Sequence, residues 1–268
     1  MVHDEETGHG GEHARRARLG WIVRAVVWTA CAAVLMTSWV CAEPVPAPPT
    51  PVPLAGQTGT DDRPLRIMPL GASSTAGARS PETGGYRGYL ERLLLDRRIP
   101  YDFVGTQKQG PAWMRDRDHE GHGGTTIPEI LPSVPRWIRS THPDVVLLHV
   151  GTNDLLRGAR GAEVAARLRT LLRAIWDAED DRPDPYVVVA GVWAPMTTKQ
   201  PAKAEFTVKA SALVDDLRRQ GRPVTFVDTS NLLARGDVAD GLHPNASGYA
   251  LIARMWEREI VRYLSARH

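Results

Sequence analysis

Cysteine is nearly absent from this 268-residue sequence, and its two cysteines, Cys31 and Cys41, both lie near the amino terminus. The rest of the chain therefore holds neither a disulfide scaffold nor a cysteine-ligated metal cluster. An excess of one charge is missing too, since 33 Lys and Arg face 31 Asp and Glu, for a net charge of +2. Proteins that bind nucleic acid usually show a clear basic excess, so we expect no nucleic-acid partner.

One long apolar run is present, at residues 21–42, and it is interrupted by the single charge of Arg24. Three arginines between residues 15 and 18 precede the run, and small residues end it at Ala42. This order is typical of a secretory signal peptide, and the run is also long enough to span a bilayer. We predict that residues 1–42 are a signal peptide, cleaved after Ala42, or an N-terminal membrane anchor. The remaining chain is then secreted or extracellular, and membrane contact is limited to residues 21–42 of an uncleaved leader.

Proline is concentrated in the segment that follows. Residues 44–53 read Pro-Val-Pro-Ala-Pro-Pro-Thr-Pro-Val-Pro, and flexible polar residues come next. Proline fixes φ and removes backbone donors, so residues 43–63 are predicted to be an extended linker. Residues 64–268 are long enough to form a single domain with a well-buried core.

Apolar segments of strand length alternate with segments of helical periodicity in this domain. Strands are predicted at residues 65–70, 101–104, 144–150, 186–190 and 224–228. Apolar residues recur at helical spacing within residues 90–94, 164–176, 213–217 and 252–264. The alternation predicts an α/β fold, a three-layer α/β/α sandwich with a mostly parallel five-stranded sheet. Functional sites in such sheets form beyond the carboxyl ends of the strands.

Two adjacent serines follow the first predicted strand. Ser73 and Ser74 come shortly after Gly71, at a turn into a helix. Serine is a favoured N-cap residue, so either hydroxyl could simply cap that helix. A hydroxyl at this turn also lies near helix amides, which favour a developing negative charge. The fragment alone leaves both interpretations open.

Two other loops beyond strand ends carry polar groups. Asn153 offers an amide donor after the third predicted strand, and Asp154 offers a helix cap, although this is also an ordinary turn. Asp240 precedes His243 by three residues, before the last predicted helix. A carboxylate at this spacing can hold the imidazole in one tautomer and leave its other nitrogen to take a proton from a serine. The alternative is a surface turn with a helix beginning at Asn245.

A histidine-containing segment offers a competing site. His119 and His122 lie three residues apart, beside Asp116, Asp118 and Glu120. Imidazole and carboxylate groups are common zinc ligands. Clusters of histidine and carboxylate side chains also occur where they only stabilise a loop, so a metal site is the weaker hypothesis.

Four sequence blocks resemble those of the SGNH (GDSL-type) hydrolases. They are residues 71–74, Gly124, residues 151–154 and residues 240–245 (Asp-Gly-Leu-His-Pro-Asn), and the resemblance runs from about Leu65 to Leu264. The wider sequence is most similar to the third carbohydrate-esterase family, the acetylxylan-esterase type. That likeness rests on residues 67–71, 84–87, 102–105, 119–122, 240–245 and 248–249. The resemblance implies the SGNH-hydrolase (flavodoxin-like) version of the predicted sheet.

The resemblance also implies roles for single residues. Ser73 corresponds to the nucleophile, His243 to the general base and Asp240 to the carboxylate that orients it. The backbone amides of Ser73 and Gly124 and the side chain of Asn153 correspond to the oxyanion hole. No nucleotide or flavin motif is present, and the implied chemistry needs no cofactor and no metal. The expected substrate is an acetylated carbohydrate or another small ester.

Two departures from the family pattern stand out. Ala72 replaces the aspartate before the nucleophile, and residues 123–125 read Gly-Gly-Thr where Ser-Gly-Trp is usual. Two alternatives to a carbohydrate acetylesterase therefore stay open. One is a secreted lipase or thioesterase acting on longer acyl chains, and the other is an inactive relative that binds polysaccharide. The polar and basic loops favour small acyl groups on a hydrophilic carrier.

Overall fold

The computed structural model describes residues 63–178 and 181–267. The predicted signal peptide or anchor, residues 1–42, lies outside the described residues, as does the predicted linker, residues 43–63, except for Arg63. Among the described residues, no helix combines the length and the apolar character needed to cross a membrane.

A parallel sheet forms the centre of the domain. Its main strands run in the order β2-β1-β4-β5-β6, and the short β3 pairs with the end of β1. Every strand pair of this sheet is parallel. The strands are β1 (Leu65–Gly71), β2 (Tyr101–Phe103), β3 (Glu120–Gly121), β4 (Val145–His149), β5 (Tyr186–Ala190) and β6 (Val224–Val227).

Helices cover both faces of the sheet, as near-continuous apolar strands require. The helices are α1 (Ser73–Ala76), α2 (Tyr86–Asp96), α3 (Ile127–Ile130), α4 (Val134–Thr141), α5 (Thr152–Leu156), α6 (Gly161–Trp176), α7 (Gln200–Arg219) and α8 (Ala246–Ser265). Three short 3-10 helices lie at Leu131–Ser133, Thr197–Lys199 and Arg235–Asp237. Apolar side chains of α3, α4, α6 and α7 pack on one face, and those of α2 and α8 pack on the other.

The predicted α/β/α sandwich and its five main strands are confirmed. The sixth strand, β3, was not predicted, because two residues are too few to show a periodic pattern. The helix α4 was also missed, since Pro135 and a short apolar stripe obscure its periodicity. The register of β1 and β4 pairs Gly71 with His149, so both strands end side by side. This shared end brings the polar loops together.

Candidate active site

Ser73 is the first residue of α1, two residues beyond the end of β1. The N-cap of α1 is Ala72, and no side chain caps this helix. The alternative that a serine only caps the helix is therefore wrong for Ser73. Gly71 allows the tight turn, because a Cβ there would lie 2.4 Å from the carbonyl oxygen of His149. The hydroxyl of Ser73 is left available at a half-buried position.

His243 links Ser73 to Asp240 by hydrogen bonds at both ring nitrogens. Its Nε2 lies 2.9 Å from Ser73 Oγ, across 170 residues of sequence. Its Nδ1 lies 2.9 Å from Asp240 Oδ2. The hydrogen bond to Asp240 favours the tautomer with the proton on Nδ1. Nε2 then carries no proton and can accept that of the serine hydroxyl. The three residues that the sequence selected are thus adjacent in space, in the order that acyl transfer by a serine requires.

Asp240 accepts several hydrogen bonds besides that of the imidazole. The backbone N–H groups of His243 and Leu242 donate to Oδ1 at 2.8 and 3.1 Å, and Arg79 Nε donates to Oδ2 at 2.8 Å. The backbone N–H of His243 is the main cause of a pKa well below the usual range for this carboxyl, and His243 and Arg79 side chains add to it. Asp240 is therefore an anion throughout the physiological pH range.

Of the predicted oxyanion-hole donors, Asn153 lines the pocket of Ser73 and Gly124 does not. Asn153 lines the same pocket as Ser73 and His243, and its Nδ2 donates to the carbonyl oxygen of Thr125 at 2.8 Å. Thr125 lines this pocket, whereas the neighbouring Gly124 does not. Gly124 is exposed, has φ +78°, and its carbonyl accepts from Arg157 at 2.9 Å. The role of the Gly124 amide in an oxyanion hole stays a prediction.

Asp154 does not cap its own helix, contrary to the sequence expectation. The N-cap of α5 is Gly151. The buried carboxylate of Asp154 accepts from the backbone N–H of Ile127 at 3.1 Å and from Arg167 at 2.7 Å. Asp154 therefore joins the loop after β4 to the start of α3, which stabilises the position of its neighbour Asn153.

The histidine-containing segment is bonded to its own loop. His119 Nδ1 accepts from the backbone N–H of Gly121 at 2.9 Å, and His122 Nε2 lies 2.7 Å from Glu120 Oε2. Burial lowers the pKa of His119 to about 2, and the charge of Arg87 adds to this effect. No group of three or more His, Cys, Asp or Glu in the described part of the chain could hold a metal ion. These side chains order the loop.

Two aromatic residues of the pocket were missed by the sequence analysis. His149, the last residue of β4, and Trp193, beyond the end of β5, both line the pocket that holds Ser73. A polar residue at the end of an otherwise apolar strand was the available signal for His149. Arg79 lies in one of the basic loops, and its contact with Asp240 was not predicted because the two residues are 161 positions apart.

Comparisons with known proteins identify the family of this chain. The model of the GDSL-like lipase/acylhydrolase family matches residues 70–251. A multidomain esterase of Ruminococcus flavefaciens is 29% identical over 231 residues, which is 75% of this chain but 29% of the esterase. The chain thus spans less than a third of that relative.

Solved structures show the same relationship. The family 3 carbohydrate esterase of Clostridium thermocellum is 33% identical, with a TM-score of 0.67 over 75% of this chain and 99% of that one. A carbohydrate esterase of family 3 from Talaromyces cellulolyticus, 22% identical, shares the fold with a TM-score of 0.63 over 75% of this chain and 99% of its own. The likeness to carbohydrate esterases seen in the sequence is confirmed, and the chain belongs to the GDSL-like lipase/acylhydrolase family.

Proposed function

We propose that the protein is a secreted serine esterase that removes acetyl or other small acyl groups from carbohydrate. The observation that carries the proposal is the continuous hydrogen-bond chain from Ser73 through His243 to Asp240. Membership of an acylhydrolase family and the likeness to a carbohydrate esterase support the reaction class. Fold alone would not, because one fold hosts many activities.

The mechanism follows from the groups at Ser73. His243 Nε2 takes the hydroxyl proton as Ser73 Oγ attacks the ester carbonyl, and the anionic Asp240 stabilises the imidazolium that forms. The alcohol leaves with the proton from His243, and the acyl group stays on Ser73. Water then attacks the acyl-enzyme, gives its proton to His243, and the carboxylic acid leaves as Ser73 regains its proton. The proposed chemistry requires no cofactor.

The oxyanion of each tetrahedral intermediate needs hydrogen-bond donors. The Ser73 amide at the start of α1 and the Nδ2 of Asn153 are the proposed donors, together with the amide of Gly124. Asn153 has two amide hydrogens, and Thr125 takes one of them. One donor of this kind contributes about 3 kcal/mol of transition-state stabilisation.

Two different spaces adjoin Ser73, and they support an acyl ester of a large hydrophilic alcohol. One is the pocket with Asn153 and His243, and the other is an open groove. The groove is lined by Ala76, Gly77, Ala78, Arg79, Pro81, Gly84, Gln109, Gly110 and Gly123 besides Ser73. Most of this lining consists of small residues with apolar surface, and the long polar side chains of Arg79 and Gln109 are placed to hydrogen-bond the hydroxyls of a carrier. The predicted leader supports action outside the cell.

The proposal is tested with the purified full chain on acetylated xylan, p-nitrophenyl acetate and p-nitrophenyl decanoate. We expect release of acetate from xylan, faster cleavage of the acetyl than of the decanoyl ester, and loss of both activities in Ser73→Ala. Ser74→Ala is the matched control, since Ser74 is buried beside Tyr249 and keeps no contact with His243 among the described hydrogen bonds. Faster decanoyl cleavage would favour the lipase alternative. Inactivity on every ester, with binding to xylan, would favour the inactive relative.

A further inference from the structure

The pocket beside Ser73 ends on a stacked pair of aromatic side chains. The rings of His149 and Trp193 are nearly parallel, with 3.3 Å between their centroids and 5° between their planes. Both residues line the pocket together with Ser73 and Asn153, yet their side chains are 3% and 1% exposed. The pair therefore closes the inner end of the pocket.

The stack has little freedom to move. Trp193 meets Tyr86 and Trp256 edge to face, with ring centroids 6.4 Å apart in each case. All of these rings are buried. Aromatic pairs in this geometry are favourable beyond their buried area, and a close-packed interior resists displacement. His149 itself belongs to the central strand β4, which pairs with β1 and β5 on its two sides.

This end of the pocket is also polar. Neither ring nitrogen of His149 has a hydrogen-bond partner among the described residues, and the same is true of Thr152 Oγ1. Lys203 Nζ, nearly buried, donates to the carbonyl oxygen of Ala194 at 2.9 Å, next to Trp193. Burial lowers the pKa of His149 to about 3, and the charge of Lys203 adds to this effect, so the imidazole is neutral.

We propose that the His149–Trp193 stack is the floor of the acyl pocket and limits the acyl group to about the size of acetyl. The inference rests on the proposed function and names its acyl specificity. A longer chain on Ser73 must either displace the buried stack or turn out towards the open groove. Rejection of one extra methylene in a tight pocket is worth about 1–3 kcal/mol, or about 10- to 200-fold in kcat/KM.

The test compares p-nitrophenyl acetate, butyrate and hexanoate as substrates of the full chain and of two variants, Trp193→Ala and Trp193→Leu. For the wild type we expect kcat/KM to fall at least about 10-fold from acetate to butyrate. Either substitution removes part of the indole and deepens the pocket. We expect kcat/KM for butyrate to rise, so that the ratio of kcat/KM for acetate to that for butyrate approaches one. Trp193→Leu retains more apolar volume than Trp193→Ala and leaves a smaller cavity, so it can be measured even if Trp193→Ala does not fold.

Trp176→Leu is the matched control. Trp176 is equally buried, but it lies on α6 and its indole donates to the carbonyl oxygen of Pro185. We expect a similar loss of thermal stability and the wild-type ratio of acetate to butyrate. A folded Trp193 variant with the wild-type ratio of acetate to butyrate cleavage would contradict the proposed role of the stack. A wild type that cleaves hexanoate as fast as acetate would contradict it too. A wild type inactive on all three esters would instead overturn the proposed function.

Discussion

Two loops beyond the strand ends meet at the candidate site. Both contain hydrogen bonds of their own, and the second is also held by buried charges of α2. The histidine loop, residues 228–245, is stabilised mainly by bonds within itself. Asp240 accepts from the N–H groups two and three residues later, and Asp237 accepts from Ala234. The side chains of Asp240 and His243 are 27% and 19% exposed. The shape of this loop is thus encoded locally.

The second loop, residues 104–126, is held from outside by buried charges of α2; we call it the anchored loop. Arg87 donates to the carbonyl oxygens of Gln109 and Arg117, and Glu91 accepts from the N–H groups of Arg115 and Asp116. Arg87 and Glu91 are both nearly inaccessible to solvent. The histidine loop thus carries Asp240 and His243, two of the proposed reactive groups, and the anchored loop contributes to the shape of the spaces beside Ser73. Changes in the first should therefore affect rate, and changes in the second should affect stability.

The largest expected effect on rate within the histidine loop comes from Asp240→Asn. An amide at this position favours the wrong imidazole tautomer, so we expect kcat to fall about 10⁴-fold with little change in the far-ultraviolet circular dichroism. Steady-state kinetics on p-nitrophenyl acetate measures this. Asp237→Asn is the matched control, because Asp237 accepts from Ala234 in the same loop and from Ser247 at the start of α8 and makes no described hydrogen bond to His243. Equal losses in both variants would contradict the distinction.

Asn153→Ala tests the point where the site meets the anchored loop. Loss of one oxyanion donor is expected to lower kcat about 10²- to 10³-fold with a smaller change in KM. The substitution also removes the hydrogen bond to Thr125, whose net contribution to stability is about 1 kcal/mol. A thermal melt beside the kinetics separates the two effects. A lower melting temperature with unchanged kcat would assign Asn153 to loop support alone.

Glu91→Ala should act on stability instead of rate. The variant leaves three groups without their acceptor, the N–H groups of Arg115 and Asp116 and the hydroxyl of Tyr101. We expect the free energy of unfolding to fall by about 3 kcal/mol, with kcat per folded molecule within about threefold of wild type. Urea denaturation measures the first quantity. Asp215→Ala, on the exposed side of α7, is the control and should change neither.

The pH profile should be controlled by the histidine loop. His243 must be neutral to accept a proton, so kcat/KM should fall towards acid pH, where an imidazole becomes protonated. Asp240 stays ionised throughout, because hydrogen bonds hold its pKa well below the usual range. We therefore expect kcat/KM to decline in a single step on the acid side of the pH profile. A profile that is flat between pH 5 and 8 would argue strongly against His243 as the base.

Arg79→Met should produce the smallest effect. Arg79 has φ +65° and donates to the same Asp240 oxygen as His243, so its charge disfavours a second cation on the imidazole. Arg79 is exposed and solvent screens its charge, so we expect only a small upward movement of the acid limb. Lys108→Met, which breaks a pair with Asp118 in the anchored loop, is the control and should leave the limb unmoved. A downward shift in Arg79→Met would contradict this account.

The sequence allowed prediction of the parts that local pattern encodes. Apolar runs identified the five main strands, the spacing of Asp240 and His243 marked them as a candidate pair, and the family resemblance selected Ser73 as their partner. Their adjacency in the structure agrees with those choices, while their catalytic roles stay predictions. The support of the anchored loop by α2 was not predicted, because its partners on that helix lie 22 to 30 residues away along the chain.

The sequence by itself determined the order of the main strands and of the longer helices, since hydrophobic periodicity acts over a few neighbouring residues, and its family resemblance named the candidate reactive groups. Only the tertiary structure decided which of those groups share a pocket and what closes it. The His149–Trp193 stack depends on β4 and β5 ending side by side, and the contact between Arg79 and Asp240 depends on two distant loops meeting. Such contacts join residues far apart in sequence, where no periodicity connects them.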